Sequence, residues 1–185
     1  ESPARLRGVR PESGPGGSVG VLAEADAARV EAVQQLHVHQ TRHGCGVRHF
    51  LDCDREALGA VRAPTYEIDA VVLLRELFAA AERDAPDGGL HAVAASDGSR
   101  LVHVAYDIAR HAAVDRAIGA AARAGHELTQ LGLLSTARIS GAMALKAVRS
   151  GIGWIAGRSI ATSLAREIAD AYGLELFERA GKGRR

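Results

Sequence analysis

Aromatic residues, cysteines and long apolar runs are all scarce in this chain. Only 4% of its 185 residues are aromatic, and only two are cysteines. Two cysteines are too few to hold together a secreted fold of this size. The longest apolar runs, such as 70–74, fall far short of the roughly 20 residues that cross a bilayer, and the N-terminus lacks the order of a signal peptide. We therefore expect a cytoplasmic protein with no membrane partner.

An excess of charge of one sign is also absent. Lys and Arg together number 23 and Asp and Glu 22, so the formal net charge is +1. A protein that binds nucleic acid through its overall field carries a much larger positive charge. We expect no nucleic-acid partner, and any anion must be bound by a local group of residues.

Length and composition favour one domain between two short ends. A hydrophobic content of 47% over 185 residues suits one core of ordinary size. Residues 1–17 contain three prolines and a Gly-Pro-Gly-Gly cluster without apolar periodicity, which predicts a flexible leader. The expected organisation is this leader, a single α/β domain over 18–179 and a basic tail over 180–185.

The pattern of apolar residues predicts an α/β fold. Asp97-Gly98 separates two strand-like runs and predicts an antiparallel hairpin. After it, strands and helices alternate with short loops, which predicts three layers: a mostly parallel central sheet, helices on its faces and the hairpin at one side. The expected strands are 18–22, 30–41, 90–95, 100–105, 131–135, 152–156 and 174–177; the expected helices are one capped by Thr65, then 111–124, 140–151 and 162–172.

Two loops have the composition of an anion-binding site. Residues 136–140 and 157–162 each follow a strand and open a helix, where ligands bind in open α/β sheets. Each loop combines a hydroxyl, an arginine (Arg138 or Arg158) and the free N–H groups of a helix N-terminus, which suit phosphate. The alternative for either loop alone is that Ser140 and Thr162 are ordinary helix caps.

A third candidate lies between the hairpin and the next helix. Asp107, Arg110 and His111 place a carboxylate, a guanidinium and an imidazole at one junction, where they could orient a ligand or move protons. A capping aspartate beside a surface Arg–His pair is an equally good interpretation.

Both cysteines and four of the eight histidines fall within seventeen positions. This set is His37, His39, His43, Cys45, His49 and Cys53. Thiolate and imidazole are ligands that zinc prefers, but the spacing matches no standard zinc motif, so a zinc site is the weaker interpretation. Arg42 and His43 would instead favour the nucleophilic thiolate of Cys45. A small buried thiol is the third possibility.

Several segments in the same order resemble the formate dehydrogenase accessory sulfurtransferase family, FdhD/NarQ. Residues 88–92 (GGLHA) resemble the family's T-G-G-V-H-A, and 107–116 (DIARHAAVDR) resemble E-D-V-G-R-H-N-A-V-D-K. Residues 136–140 (TARIS) and 158–165 (RSIATSLA) resemble S-G-R-I-S and S-R-S-A-P-T-S-L-A. The similarity extends from about residue 88 to residue 179.

The resemblance implies a cytidine-deaminase-like fold and a role in sulfur transfer. Cys45-Gly46-Val47 matches the start of the family's C-G-x-C-G loop, so Cys45 would carry persulfide sulfur from a cysteine desulfurase. The sulfur would pass to the molybdenum bis-guanine-dinucleotide cofactor of formate dehydrogenase, and the protein could pair as a homodimer. The residues implied to bind this cofactor or a guanine nucleotide are Gly89, His91, Asp107, Arg110, His111, Arg138, Ser140, Arg158, Ser159 and Thr162.

The chain also departs from the family pattern. Arg48 stands where the second cysteine of the loop is expected, and alanine replaces glycine at Ala109 and Ala137. These departures motivate an alternative function, a binding protein for a nucleotide or for the molybdenum cofactor that has lost sulfur transfer. A metal-binding module built from the His/Cys cluster is a third hypothesis.

Overall fold

A computed structural model describes residues 8–13, 19–24 and 59–180, which fall in two compact units, 1–46 and 47–185. The organisation predicted from sequence, with a single domain over 18–179, stays a prediction. In the first unit, β1 (Gly8–Ser13) pairs antiparallel with β2 (Val19–Glu24), with Gly8 opposite Glu24 and Ser13 opposite Val19.

This pairing corrects the predicted leader. β2 confirms the strand expected over 18–22, but β1 lies inside residues 1–17, for which we expected no regular structure. Composition misled here because an antiparallel ladder is made by backbone groups, and Pro11 is tolerated in an edge strand, the position that β1 has among the described residues. The rest of the leader, the predicted strand 30–41 and nearly all of the tail lie outside the described residues.

The second unit is built on a five-stranded sheet in the order β4-β3-β5-β6-β7. β3 is antiparallel to both its neighbours, whereas β5, β6 and β7 are parallel to one another. Four strands therefore run in one direction and only β3 runs in the other, with the hairpin at one side as predicted. The strands are β3 (His91–Ser96), β4 (Leu101–Asp107), β5 (Gly132–Ser135), β6 (Trp154–Gly157) and β7 (Glu175–Phe177).

Helices cover both faces of this sheet. The helices are α1 (Ala70–Asp84), α2 (Arg110–Arg123), α3 (Gly141–Arg149) and α4 (Ser163–Tyr172), with a 3-10 turn at Leu128–Gln130. Leu77 of α1 packs with Leu134 and Trp154 on one face. On the other face, α2, α3 and α4 pack over Leu133 and Ile155. The expected three-layer α/β class is confirmed, and no helix among the described residues is long and apolar enough to cross a membrane.

The start of α1 differs from the prediction. Asp69, not Thr65, is the N-cap, and its carboxylate accepts hydrogen bonds from the backbone N–H groups of Val71 at 3.1 Å and Val72 at 3.0 Å. A cap must directly precede the first helical residue, so the two candidates could be told apart only once the helix start was known. At the end of α4, Gly173 adopts φ 72°, the left-handed closure that was expected.

Strand direction brings the predicted site segments to one edge of the sheet. His91 lies opposite Asp107, Val93 opposite Ser135, and Ser135 opposite Gly157. The start of β3 therefore meets the carboxyl ends of β4, β5 and β6. The loops 136–140 and 157–162 and the start of α2 leave the sheet at this edge.

Candidate ligand-binding site

His111 and Ser140 meet at this edge, although they are 29 positions apart in sequence. The His111 Nε2 and the Ser140 Oγ are 2.9 Å apart, in a partly buried position. Ser140 occupies the N-cap position of α3, yet its side chain makes no capping hydrogen bond. The hydroxyl is therefore bound to the imidazole, and the first-turn N–H groups of α3 have no side-chain cap, so an anion could take that place.

The surroundings of His111 keep its imidazole neutral. Burial lowers the pKa of His111, and the positive charges of Arg110 and Lys146 lower it further, with a smaller contribution from His91. The carboxylate of Asp115 acts in the opposite direction. The neutral His111 imidazole, which lies near Arg110, Lys146 and His91, can take up a proton when a negatively charged ligand binds.

The Lys146–Asp115 ion pair belongs to this group and was not assigned to the site from sequence. The Lys146 Nζ lies 2.6 Å and 2.7 Å from the two Asp115 carboxylate oxygens, which joins α3 to α2. Asp115 follows His111 by four positions, and residues four apart share a helix face. That spacing is the signal that could have identified Asp115; Lys146 reaches it only through helix packing.

Asp107 and Arg110 have different surroundings. The Asp107 Oδ1 accepts a hydrogen bond from the Ala109 N–H at 2.9 Å, and the Asp107 Oδ2 lies 3.6 Å from the Arg116 Nε. Asp107 thus makes the turn that precedes α2 but does not cap the helix, because the N-cap residue is Ala109 and this helix start has no side-chain capping hydrogen bond. Arg110 is exposed and has no side-chain partner among the described residues.

The loop 136–140 is held to β3 and carries the exposed Arg138. The Thr136 Oγ1 accepts a hydrogen bond from the Ala92 N–H at 3.0 Å, and the Thr136 N–H donates to the Ala92 carbonyl oxygen at 3.0 Å. Arg138 is exposed, and its side chain has no partner in the described part of the chain. Within the described part of the chain, neither Arg138 nor Arg110 is held in an ion pair that an anion would have to break.

The start of β3 adds two of the predicted residues. Gly89 has φ 79°, a left-handed conformation that an L-residue with a side chain adopts only with strain. Gly89 is exposed and His91 is partly buried at the edge of the site. Gly89 therefore fixes the direction in which the chain enters β3. His91 makes a small contribution that lowers the pKa of His111.

The loop 157–162 lies beside the first loop but is more completely bonded within the protein. Ile139 and Ala161 form a parallel bridge, and the Thr162 N–H donates to the Ile139 carbonyl oxygen at 3.0 Å. The Thr162 Oγ1 accepts from the Ala165 N–H at 3.2 Å and so caps α4. The Arg158 guanidinium lies 5.2 Å from the ring centre of Phe78, on α1. The two loops are neighbours, but Arg158 contacts the helix on the other face of the sheet from α2 and α3.

The predicted thiol and metal residues lie outside the described residues. Cys45, Cys53 and the histidines at 37, 39, 43 and 49 all fall between residues 25 and 58. The sulfur-carrier role of Cys45 and the zinc alternative both stay predictions.

The comparison with known proteins identifies the family. A profile of the FdhD/NarQ family matches residues 4–184. The chain belongs to the FdhD/NarQ family. It is 39% identical over 146 residues to the sulfur carrier protein FdhD of Xanthomonas campestris pv. campestris, covering 74% of this chain and 50% of that protein. It is 35% identical over 154 residues to the FdhD of Streptomyces coelicolor, covering 74% and 51%. The chain thus spans about half the length of these relatives.

A solved structure shows the same fold. A crystal structure from Desulfotalea psychrophila, of a protein proposed to be a formate dehydrogenase accessory protein, superimposes with a TM-score of 0.63 at 20% identity. The match covers 95% of this chain and 66% of that one. This FdhD/NarQ chain therefore has the fold that the sequence resemblance implied.

Proposed function

We propose that this FdhD/NarQ chain is a sulfur carrier in the maturation of formate dehydrogenase, taking sulfur from a cysteine desulfurase on Cys45 and delivering it to a bound guanine-dinucleotide molybdenum cofactor. Family membership supports the general role. The observation that carries the ligand site is the 2.9 Å contact between His111 and Ser140 at the uncapped start of α3.

The residues at this edge fit the phosphate groups of such a ligand. Arg110 and Arg138 would supply guanidinium groups, the first turn of α3 backbone N–H groups, and Ser140 a hydroxyl. His111 would supply a proton at Nε2 or at the other ring nitrogen, depending on its tautomer. When bound, the cofactor would supply the molybdenum centre that takes up the sulfur. The resemblance adds Gly89, His91, Asp107, Arg158, Ser159 and Thr162 to the residues around it.

Sulfur would be loaded by exchange between thiols. The Cys45 thiolate attacks the terminal sulfur of the donor's persulfide, the donor's sulfur–sulfur bond breaks, and the donor cysteine leaves as a thiolate. Sulfur moves without net oxidation or reduction, so no further reactant is needed. Arg42, His43 and Arg48 lie close to Cys45 in sequence and favour its thiolate form.

Mass spectrometry of the intact protein tests the carrier role. The full chain is incubated with a cysteine desulfurase, cysteine and pyridoxal phosphate, and the wild type is compared with Cys45→Ala and Cys53→Ala. We expect a sulfur adduct in the wild type and in Cys53→Ala that is absent from Cys45→Ala. An adduct that persists in Cys45→Ala contradicts the proposed carrier residue.

A second outcome would favour the alternative function. Arg48 stands at the position of the second loop cysteine, which is the specific observation in favour of a cofactor-binding or nucleotide-binding protein without sulfur transfer. That alternative predicts no adduct on folded wild-type protein when the desulfurase loads a control acceptor. It also predicts GDP binding that weakens in Arg138→Ala, while Arg75→Ala, an exposed arginine on α1, binds normally.

A further inference from the structure

The residues that follow β7 are bonded to the loop 157–162. We call Glu178, Arg179 and Ala180 the C-terminal strap. The Ala180 N–H donates to the Gly157 carbonyl oxygen at 3.3 Å, and the Arg179 N–H donates to the Ser159 carbonyl oxygen at 3.0 Å. These bonds hold the strap along the first half of the loop, next to Arg158.

Glu178 holds the second half of the loop with its side chain. The Glu178 Oε2 accepts a hydrogen bond from the Ala161 backbone N–H at 2.8 Å. Both carboxylate oxygens also contact Arg166 on α4: the Nε donates to Oε1 at 3.1 Å and the Nη2 donates to Oε2 at 2.8 Å. Hydrogen bonding from Arg166, followed by the Ala161 N–H, lowers the pKa of Glu178, so the carboxylate is charged at neutral pH.

The backbone of the strap is held in an unusual conformation. Arg179 has φ 55° and is the only non-glycine residue with a positive φ in the part of the chain that the structure describes. A left-handed conformation is disfavoured for a residue with a side chain and persists where the surrounding contacts determine it. Here the bonds to Gly157, Ser159 and Ala161 surround it, so the contact between strap and loop is built into the fold.

The loop that the strap holds continues into the candidate ligand site. Ala161 forms the bridge to Ile139, and the next residue, Thr162, donates its N–H to the Ile139 carbonyl oxygen. Ile139 directly precedes Ser140. Movement of Ala161 would therefore be transmitted to Arg138 and Ser140 on one side and to Ser159 and Arg158 on the other.

We propose that Glu178 is a positioning residue for the ligand site, acting through the Ala161 N–H and held in place by Arg166. The inference rests on the proposed phosphate-binding function and deepens it. Glu178 does not contact the ligand in this scheme. It fixes the position of Ala161, whose bridge to Ile139 supports Arg138 and Ser140. The geometry assigns Arg166 an indirect role, since it keeps the Glu178 carboxylate charged and oriented.

The test measures GDP affinity by calorimetry on the full chain. Glu178→Ala leaves the Ala161 N–H without its acceptor, and we expect GDP to bind roughly fivefold to tenfold more weakly. Glu178→Gln keeps an amide oxygen that can accept this N–H, so its affinity should recover to within about twofold of the wild type. Arg166→Met should give an intermediate loss.

Asp97→Ala is the matched control. The Asp97 carboxylate likewise accepts backbone N–H groups, from Ser99 at 2.9 Å and Arg100 at 3.0 Å, and it also pairs with the Arg100 side chain. It lies in the hairpin turn at the opposite edge of the sheet, so its loss should leave GDP affinity unchanged. A similar loss of affinity in Asp97→Ala would show that Glu178→Ala acts through general destabilisation and would overturn the inference.

A double-mutant cycle and hydrogen exchange separate positioning from plain stability. If Glu178 acts through the loop, Glu178→Ala should weaken binding by less than twofold in an Arg138→Ala background, and the Ala161 amide should lose exchange protection while that of Leu133 is kept. Unchanged or tighter GDP binding in Glu178→Ala, or additive effects in the cycle, overturns the inference alone. Failure of the wild type to bind GDP contradicts the proposed function itself, and the inference falls with it.

Discussion

The affinity of the site for a phosphate-bearing ligand should rise as the pH falls, because of His111. Burial and the nearby charges of Arg110 and Lys146 lower the pKa of this imidazole, so it is neutral in the free protein at neutral pH. A phosphate group beside it favours the charged form and raises its pKa. Binding therefore takes up a proton in the pH range between these two pKa values.

The size of the effect follows from this linkage. Uptake of one proton can strengthen binding by at most about tenfold per pH unit, or about 1.4 kcal/mol. The hydrogen bond with Ser140 limits how freely the His111 ring can turn towards a ligand, so we expect a total gain in affinity of roughly fivefold to tenfold. Below the pKa of free His111 the gain should level off, because the imidazole is then charged before the ligand arrives.

Calorimetric titration with GDP from about pH 7.5 to about pH 5.5 measures this gain. The phosphate of GDP itself titrates with a pKa of about 6, so the informative quantity is the ratio of wild-type to His111→Gln affinity at each pH. His126→Gln, an exposed histidine beyond the end of α2, should behave as the wild type does. A constant ratio for His111→Gln across this range would refute the reasoning.

Two further predictions concern the same unit. Gly132→Ala should destabilise the fold by about 2 kcal/mol, seen as a lower midpoint in thermal unfolding, because its Cβ would clash with the fully buried Trp154 ring; an unchanged midpoint would contradict this. Lys146→Met removes a positive charge near His111 and leaves the Asp115 carboxylate in place, so the pKa of His111 should rise in an NMR titration. A lower or unchanged His111 pKa would contradict this expectation.

Local patterns were sufficient to predict most of the second unit. The Asp97-Gly98 turn predicted the β3–β4 hairpin because its residues favour the backbone of a tight turn, and Gly173 predicted the end of α4 for a similar reason. Apolar periodicity placed α2 and α4 to within one residue of their observed starts. These features depend on neighbours a few residues apart, and such neighbours are visible in sequence.

Features that depend on distant pairing were harder to predict. β1 was missed because its pairing with β2 is made by backbone groups, and its composition resembled a leader. The two loops 136–140 and 157–162 looked equivalent, yet one has a helix start without a side-chain cap and the other is bonded to the C-terminal strap. Nothing near residue 161 in sequence indicates that Glu178 accepts its N–H.

The sequence by itself determined the family, the α/β class and the set of polar residues at the ends of the strands, because these are carried by motifs and by short-range periodicity. Only the tertiary structure decided how those residues are used. It placed His111 against Ser140 and Arg158 against Phe78. It also used the Asp107 carboxylate to form a turn and brought Lys146 and Asp115 into the site. A side chain's partners are set by the packing of helices and strands that are far apart in the chain, and this packing has no local signal in the sequence.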